Sequence, residues 1–168
     1  MKVRGIVYTS NTGYTADYAK LLGSKINLPV YTIEEAGTFL AKGAPVIYMG
    51  WLMAGTVKDY QKAAKRYTIV AVCGVGLGET GSQTEEVRKG SAIPPQIPLF
   101  TLQGGMDHGK LRGVYKSIIK VLTRAMAGKK NRSEGEERML ALLQCGGNYV
   151  CEENLAEVMA WYQEQLAL

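Results

Sequence analysis

The chain of 168 residues carries a formal net charge of +5, with 46% hydrophobic and 21% charged residues, the size and balance of one globular domain. These values exclude a disordered chain, and no apolar run approaches the ~18 residues that cross a bilayer as a helix. One histidine and three cysteines exclude a multi-histidine metal centre and a four-cysteine zinc or iron–sulfur site.

Val3–Tyr8 is a β-branched, apolar run that predicts a first strand. The eight residues Met1–Tyr8 are too short for a signal peptide. Helical spacing over Thr15–Ile26 places Tyr18, Ala19, Leu22 and Ile26 on one face. Leu28–Thr32 predicts a short strand, Glu34–Leu40 a short helix, Pro45–Met49 a third strand and Val57–Arg66 a helix. Thr68–Cys73 is continuously apolar from Ile69, the pattern of a strand buried on both faces. Thr84–Lys89 predicts a helix and Ile97–Leu102 a fifth strand. Lys110–Ala127, Glu134–Leu143 and Glu152–Leu166 complete the chain as helices, with Ala127–Gly135 as the one linker-like stretch. Strands alternating with helices over short connections predict an α/β fold. It is a five-stranded parallel sheet, doubly wound in one domain over 1–168, with an insert at about 103–148.

In such a sheet ligands bind outside the carboxyl ends of the strands. The loop after the first strand is Thr9-Ser10-Asn11-Thr12-Gly13-Tyr14-Thr15, four hydroxyls and an amide around a glycine just before a helix. Free N–H groups and the partial positive charge of a helix N-terminus attract anions. The loop lacks the G-K-[ST] of a nucleotide triphosphate loop, so it suits a terminal phosphate that is held, not transferred. The alternative is an ordinary helix cap, which needs only one such residue.

Ser10-Asn11-Thr12-Gly13-Tyr14-Thr15 resembles the FMN-phosphate loop of flavodoxins, [ST]-x-T-G-x-T, directly after strand one. The resemblance implies a flavodoxin-like fold with FMN as cofactor, and two further loops extend it. After strand three, Gly50-Trp51-Leu52-Met53 places a tryptophan where flavodoxins stack an aromatic on the flavin. After strand four, Gly74-Val75-Gly76-Leu77-Gly78 is expected to reach the pyrimidine end of the flavin by its backbone. That loop has no aromatic, which leaves one flavin face open to a substrate or quinone. Gly76–Gly81 also matches G-x-G-x-x-G, but it follows the fourth strand and has no acidic ribose partner about 20 residues on.

The C-terminal third carries the charge. Lys110–Arg132 holds eight basic residues and no acidic one, while the rest sums to −3. Such a segment suits an anionic membrane surface, a carboxylate-bearing substrate, or plain solvation of a helix face. Gln103-Gly104-Gly105 followed by the basic helix and a small-residue linker resembles the flavodoxin-like, quinone-dependent protoporphyrinogen dehydrogenases; the linker sequence and the Glu134–Leu143 helix depart from them. The resemblance implies an oxidoreductase passing electrons from a small substrate to a quinone-type acceptor. The alternative is a flavodoxin-type electron carrier acting on a redox partner protein. Nucleic acid is not expected, since the basic helix has only Tyr115 as an aromatic platform. An odd cysteine count without C-x-x-C predicts a reducing, cytoplasmic setting, with the basic helix peripheral to the inner face of the membrane as one option.

Overall fold

A computed structural model describes residues 2–167; Met1 and Leu168 of the expected 1–168 domain lie outside the described residues. In chain order the elements are β1 (Gly5–Thr9), α1 (Tyr14–Ile26), β2 (Val30–Thr32), α2 (Ala36–Phe39), β3 (Pro45–Met53), β4 (Thr56–Val57) and α3 (Tyr60–Ala64). They continue with β5 (Thr68–Gly76), α4 (Thr84–Ser91), β6 (Leu99–Gln103), β7 (Gly105–Met106), α5 (Gly113–Gly128), α6 (Glu134–Cys145), β8 (Gly147–Asn148) and, after a 3-10 turn at Glu153–Leu155, α7 (Ala156–Ala167). The sheet order is β2-β1-β3-β5-β6, parallel throughout, with β4 antiparallel on the end of β3.

Period-two alternation sorts the strand residues into two cores. Ile6, Ile47, Met49, Ala71, Cys73 and Val75 face α1 and α7. Val7, Val46, Tyr48, Ile69 and Val72 face the opposite side, with α2, α3 and Val87 of α4. Ile69 and Val72 share a face despite their odd spacing because the β3–β5 register slips between Val46 and Ile47, a bulge that leaves Val70 unpaired. The sheet is therefore covered on both faces, as its apolar strands require.

Most elements shift by two or three residues at their ends, and four differences from the sequence expectation bear on the site. The third strand runs to Met53 rather than Met49, because β5 pairs with it as far as Trp51 and β4 pairs with Leu52 and Met53. Gly50, Trp51, Leu52 and Met53 are thus strand residues, not loop residues. Gly74 and Gly76 likewise belong to β5, whose ladder with β6 continues to Gly76. The expected helix Val57–Arg66 shortens to α3, since Thr56–Val57 is taken up by β4 and Asp59 turns the chain with φ 57°. Finally, Ala127–Gly135 is a built connection. Arg132 donates to the carbonyls of Met126, Ala127 and Lys129, and Ser133 and Glu136 form a capping box on α6.

The insert leaves and re-enters the domain at one point. β7 pairs antiparallel with β8, Gly105 opposite Asn148 and Met106 opposite Gly147. The Tyr18 hydroxyl, fully buried on α1, donates toward the carbonyls of Gln103 (2.6 Å) and Tyr149 (3.1 Å) and accepts from Asn154 Nδ2 (2.8 Å). Between these anchors α5 and α6 enclose a small core of Met106, Leu111, Leu142 and Leu143.

Tyr18→Phe takes the hydroxyl donor from the Gln103 carbonyl and leaves Asn154 and the Tyr149 carbonyl bonded only to each other, so it should destabilise the protein by about 1–3 kcal/mol by urea denaturation. A second expectation concerns pH. Burial pushes the Cys73 thiol up to about 12, and burial raises the Tyr48 phenol, with the Thr9 hydroxyl opposing. Both groups stay protonated in the fold after they ionise in the unfolded chain. Their contribution is complete below pH about 9 and is lost as pH rises, by up to about 1.4 kcal/mol per pH unit for each group. Cys73→Ala should flatten the fall of the urea midpoint between pH 9 and 10.5.

Candidate functional site

The β1–α1 turn is tight. Gly13 sits at φ +105°, a conformation natural to glycine, and its N–H donates to Ser10 Oγ at 3.2 Å. The first intrahelical bond runs from Asp17 N–H to Gly13 O. The amides of Tyr14, Thr15 and Ala16 have no protein acceptor among the described residues, as expected for the first turn of a helix. Thr15 is 1% exposed, yet its hydroxyl makes no hydrogen bond among the described residues, and it lines the cleft described next. No side-chain polar atom of the described residues is both buried and unpartnered, so this hydroxyl reaches the cleft surface, where it can donate to a ligand.

That cleft, with a cavity volume of about 180 Å³ and an open mouth, lies at the carboxyl ends of β1, β3 and β5. One end is polar, lined by Ser10, Asn11, Thr12 and Thr15; the other is apolar, lined by Trp51, Leu52, Met53, Val75 and Leu77. Of the residues expected to bind cofactor, Ser10, Asn11, Thr12, Tyr14, Thr15, Trp51, Leu52, Met53, Val75, Gly76 and Leu77 come together here. Gly13 instead lines a shallower hollow behind the loop, with Thr32 and Glu34. Gly50, Gly74 and Gly78 do not line the cleft. A Cβ on Gly50 would meet Lys58 O at 2.7 Å and one on Gly74 would meet Leu52 Cδ2 at 2.7 Å, so both glycines make room for protein neighbours.

Two contributors escape sequence reading. The first is the opposite wall, supplied by Leu111, Tyr115, Ile118, Ile119 and Leu122. Tyr115 meets Trp51 edge-on, with ring centroids 5.3 Å apart and planes at 84°, a favourable aromatic geometry. The second is Lys110. No cation occurs in the Ser10–Thr15 loop itself, but the fold brings Lys110 Nζ to 5.6 Å from the Tyr14 ring centroid. It also stands 3.8 Å from where a Cβ of Gly13 would lie. Asp107 is 3.9 Å from the same ammonium, which stays about half-exposed. The Tyr14 phenol is raised, first by burial and then by Asp107 and Asp17. At the loop after β5, Glu79 pairs with Arg138 and ties that loop to α6.

The Cys73 and His108 side chains do not form a catalytic pair. Cys73 is buried in the sheet core, its thiol raised by burial, while His108 is exposed on the insert. No helix of the described residues is long and apolar enough to cross a membrane. Comparison with family models, curated proteins and solved structures finds no match to this chain.

If the Thr15 hydroxyl is reserved for a ligand, removing it costs the fold little. Thr15→Val should change the urea-unfolding free energy by no more than about 1 kcal/mol, because a hydroxyl at the cleft surface with no protein partner contributes little that a methyl does not. A structural hydroxyl would cost about 1–3 kcal/mol.

Proposed function

We propose that this chain is a flavodoxin-like FMN-binding redox protein acting on a small apolar reactant. The observation that carries the reading is one cleft with a donor-rich end and an aromatic end, at the carboxyl edge of a doubly wound parallel sheet. Open α/β sheets of this order bind ligands at that edge.

The donor set fits a phosphate monoester. The free amides of Tyr14, Thr15 and Ala16, with the hydroxyls of Ser10, Thr12 and Thr15, would hold it, and Lys110 adds a charge that a neutral loop lacks. Trp51 offers a ring face to an isoalloxazine, and Val75, Gly76 and Leu77 line the same end. Bound FMN supplies reversible hydride and electron transfer, for which the protein contributes binding, orientation and exclusion of water. The residues of this chain would anchor the phosphate, confine the ring beside Trp51, and keep the apolar end dry. Tyr115, Ile118 and Leu122 form a second wall able to hold a hydrophobic reactant such as a quinone. A bare electron carrier has no use for such a wall, and this favours the oxidoreductase reading.

The purified protein should bind FMN, with the flavin visible spectrum and quenching of Trp51 fluorescence; Trp161 on α7 is the internal control. Thr15→Val and Lys110→Gln should each weaken FMN binding by about 1–2 kcal/mol, since each removes a bond to a charged group. Riboflavin, which has no phosphate, should bind both variants as it binds the wild type. Titration that finds no FMN binding below about 1 mM, or equal affinity for FMN and riboflavin, defeats the reading.

A further inference from the structure

α5 is sixteen residues long, and none of its side chains is fully buried. One arc, Ile119 and Met126, packs toward α6 and the insert core. A second arc stays open: Val114 is 65% exposed, Ile118 37%, Val121 65% and Leu122 38%. Their spacing of i, i+4, i+7 and i+8 makes one continuous aliphatic stripe rising about 12 Å along the helix. Elsewhere among the described residues, large exposed apolar side chains stand singly, at Phe39, Tyr149 and Leu166. Single ones need no explanation, but a contiguous stripe does.

The charge on the rest of the helix indicates what covers the stripe. Lys116, Lys120 and Arg124 occupy a third arc, and none of them forms an ion pair among the described residues. By contrast, Lys129 and Arg132 at the end of the helix are paired with Glu136 and Glu137 and serve the α5–α6 connection. The three free cations therefore make no ion pair that holds the fold. Arg124 stands about 60° around the helix from Val121, close enough for its long stem to reach the same plane. A symmetric contact with a second copy would set this cationic helix against itself. The stripe has no aromatic anchor of the sort that dominates protein interfaces, and it is convex, so it offers no groove. An aliphatic stripe backed by unpaired lysine and arginine is the composition of a helix lying in the headgroup region of an anionic bilayer.

We propose that α5 docks the protein on an anionic lipid surface, its Val114–Leu122 stripe inserted among the headgroups and its free cations held by the lipid charge. Ile118 and Leu122 belong both to the stripe and to the wall of the cleft, so docking turns the cleft mouth toward the lipid. The surface is independent of the flavin reading: it holds whether or not the cleft binds FMN.

The test is co-sedimentation of the full-length protein with phosphatidylcholine vesicles, with and without phosphatidylglycerol. Wild type should bind the phosphatidylglycerol vesicles, and bind neutral vesicles at least about tenfold more weakly. Raising salt from 0.1 to 0.5 M should release it, because the screening length shrinks. Val114→Ser with Val121→Ser, two exposed positions that leave the core untouched, should reduce binding about tenfold or more. Lys116→Gln, Lys120→Gln and Arg124→Gln together should do the same and abolish the salt dependence. A control triple on other elements, Lys20→Gln, Lys42→Gln and Lys89→Gln, lowers the net charge equally and should bind as wild type. Wild type that ignores anionic vesicles overturns the proposal, as does a control triple that loses as much as the α5 triple. A dimer seen by light scattering and abolished by the Val114/Val121 change, without vesicle binding, assigns the stripe to a second copy and overturns it as well.

Discussion

A single buried phenol lets this domain carry its insert. The chain departs from the sheet at Gln103 and returns at Tyr149, and Tyr18 on α1 binds both carbonyls through one hydroxyl, itself held by Asn154. Gly105–Met106 and Gly147–Asn148 close the neck as a short antiparallel ribbon. Gly105 is required there, because a Cβ would lie 2.4 Å from Gly147 O and 2.7 Å from the Tyr14 ring. A neck fixed in this way allows an excursion of some forty residues without opening the main core. It also fixes where α5 stands, against Trp51 and across from the β1–α1 turn.

The cleft is a product of that placement. Its floor belongs to the sheet and its far wall to the insert, and the two have separate hydrophobic cores. The polar end is left unsatisfied by the protein: three helix N-terminal amides and the Thr15 hydroxyl have no partner among the described residues. Open to the cleft, these donors are free to bond a ligand without displacing any protein contact. The apolar end is closed by an edge-on contact between Trp51 and Tyr115. The wall itself is lightly held, since α5 has no buried residue and rests on α6 through few side chains. Segments with little buried apolar area open at low cost. A cleft with a rigid floor and a lightly held wall can admit a planar ligand without disturbing the sheet.

Charge follows the same division. Of the eight basic residues in Lys110–Arg132, Lys129 and Arg132 are spent on the α5–α6 turn. Lys110 is directed to the β1–α1 turn. Arg112 donates to the carbonyls of Gly109 and Leu111, and Lys116, Lys120 and Arg124 lie unpaired on the surface of α5. One run of positive charge therefore serves three purposes, which its composition alone does not separate.

The sequence by itself determined the α/β alternation, the sheet strands and the hydroxyl-rich turn at the first strand end, because burial periodicity and turn chemistry are local properties of neighbouring residues. It also carried the capping box Ser133-x-x-Glu136, a local signature that turns an apparent linker into a helix start. The extent of β3 and β5 was not legible. Gly50–Met53 and Gly74–Gly76 look like loop in isolation, and they are strand only because β4, β5 and β6 supply ladder partners. Lys110 and Tyr115 were equally invisible as cleft residues. Their positions depend on the Tyr18 clamp and on the β7–β8 neck, contacts between residues more than forty positions apart. Spacing in a sequence encodes which face a side chain presents. It does not encode which distant element that face meets, and only the tertiary structure decided that the basic helix would close a cleft over the first turn.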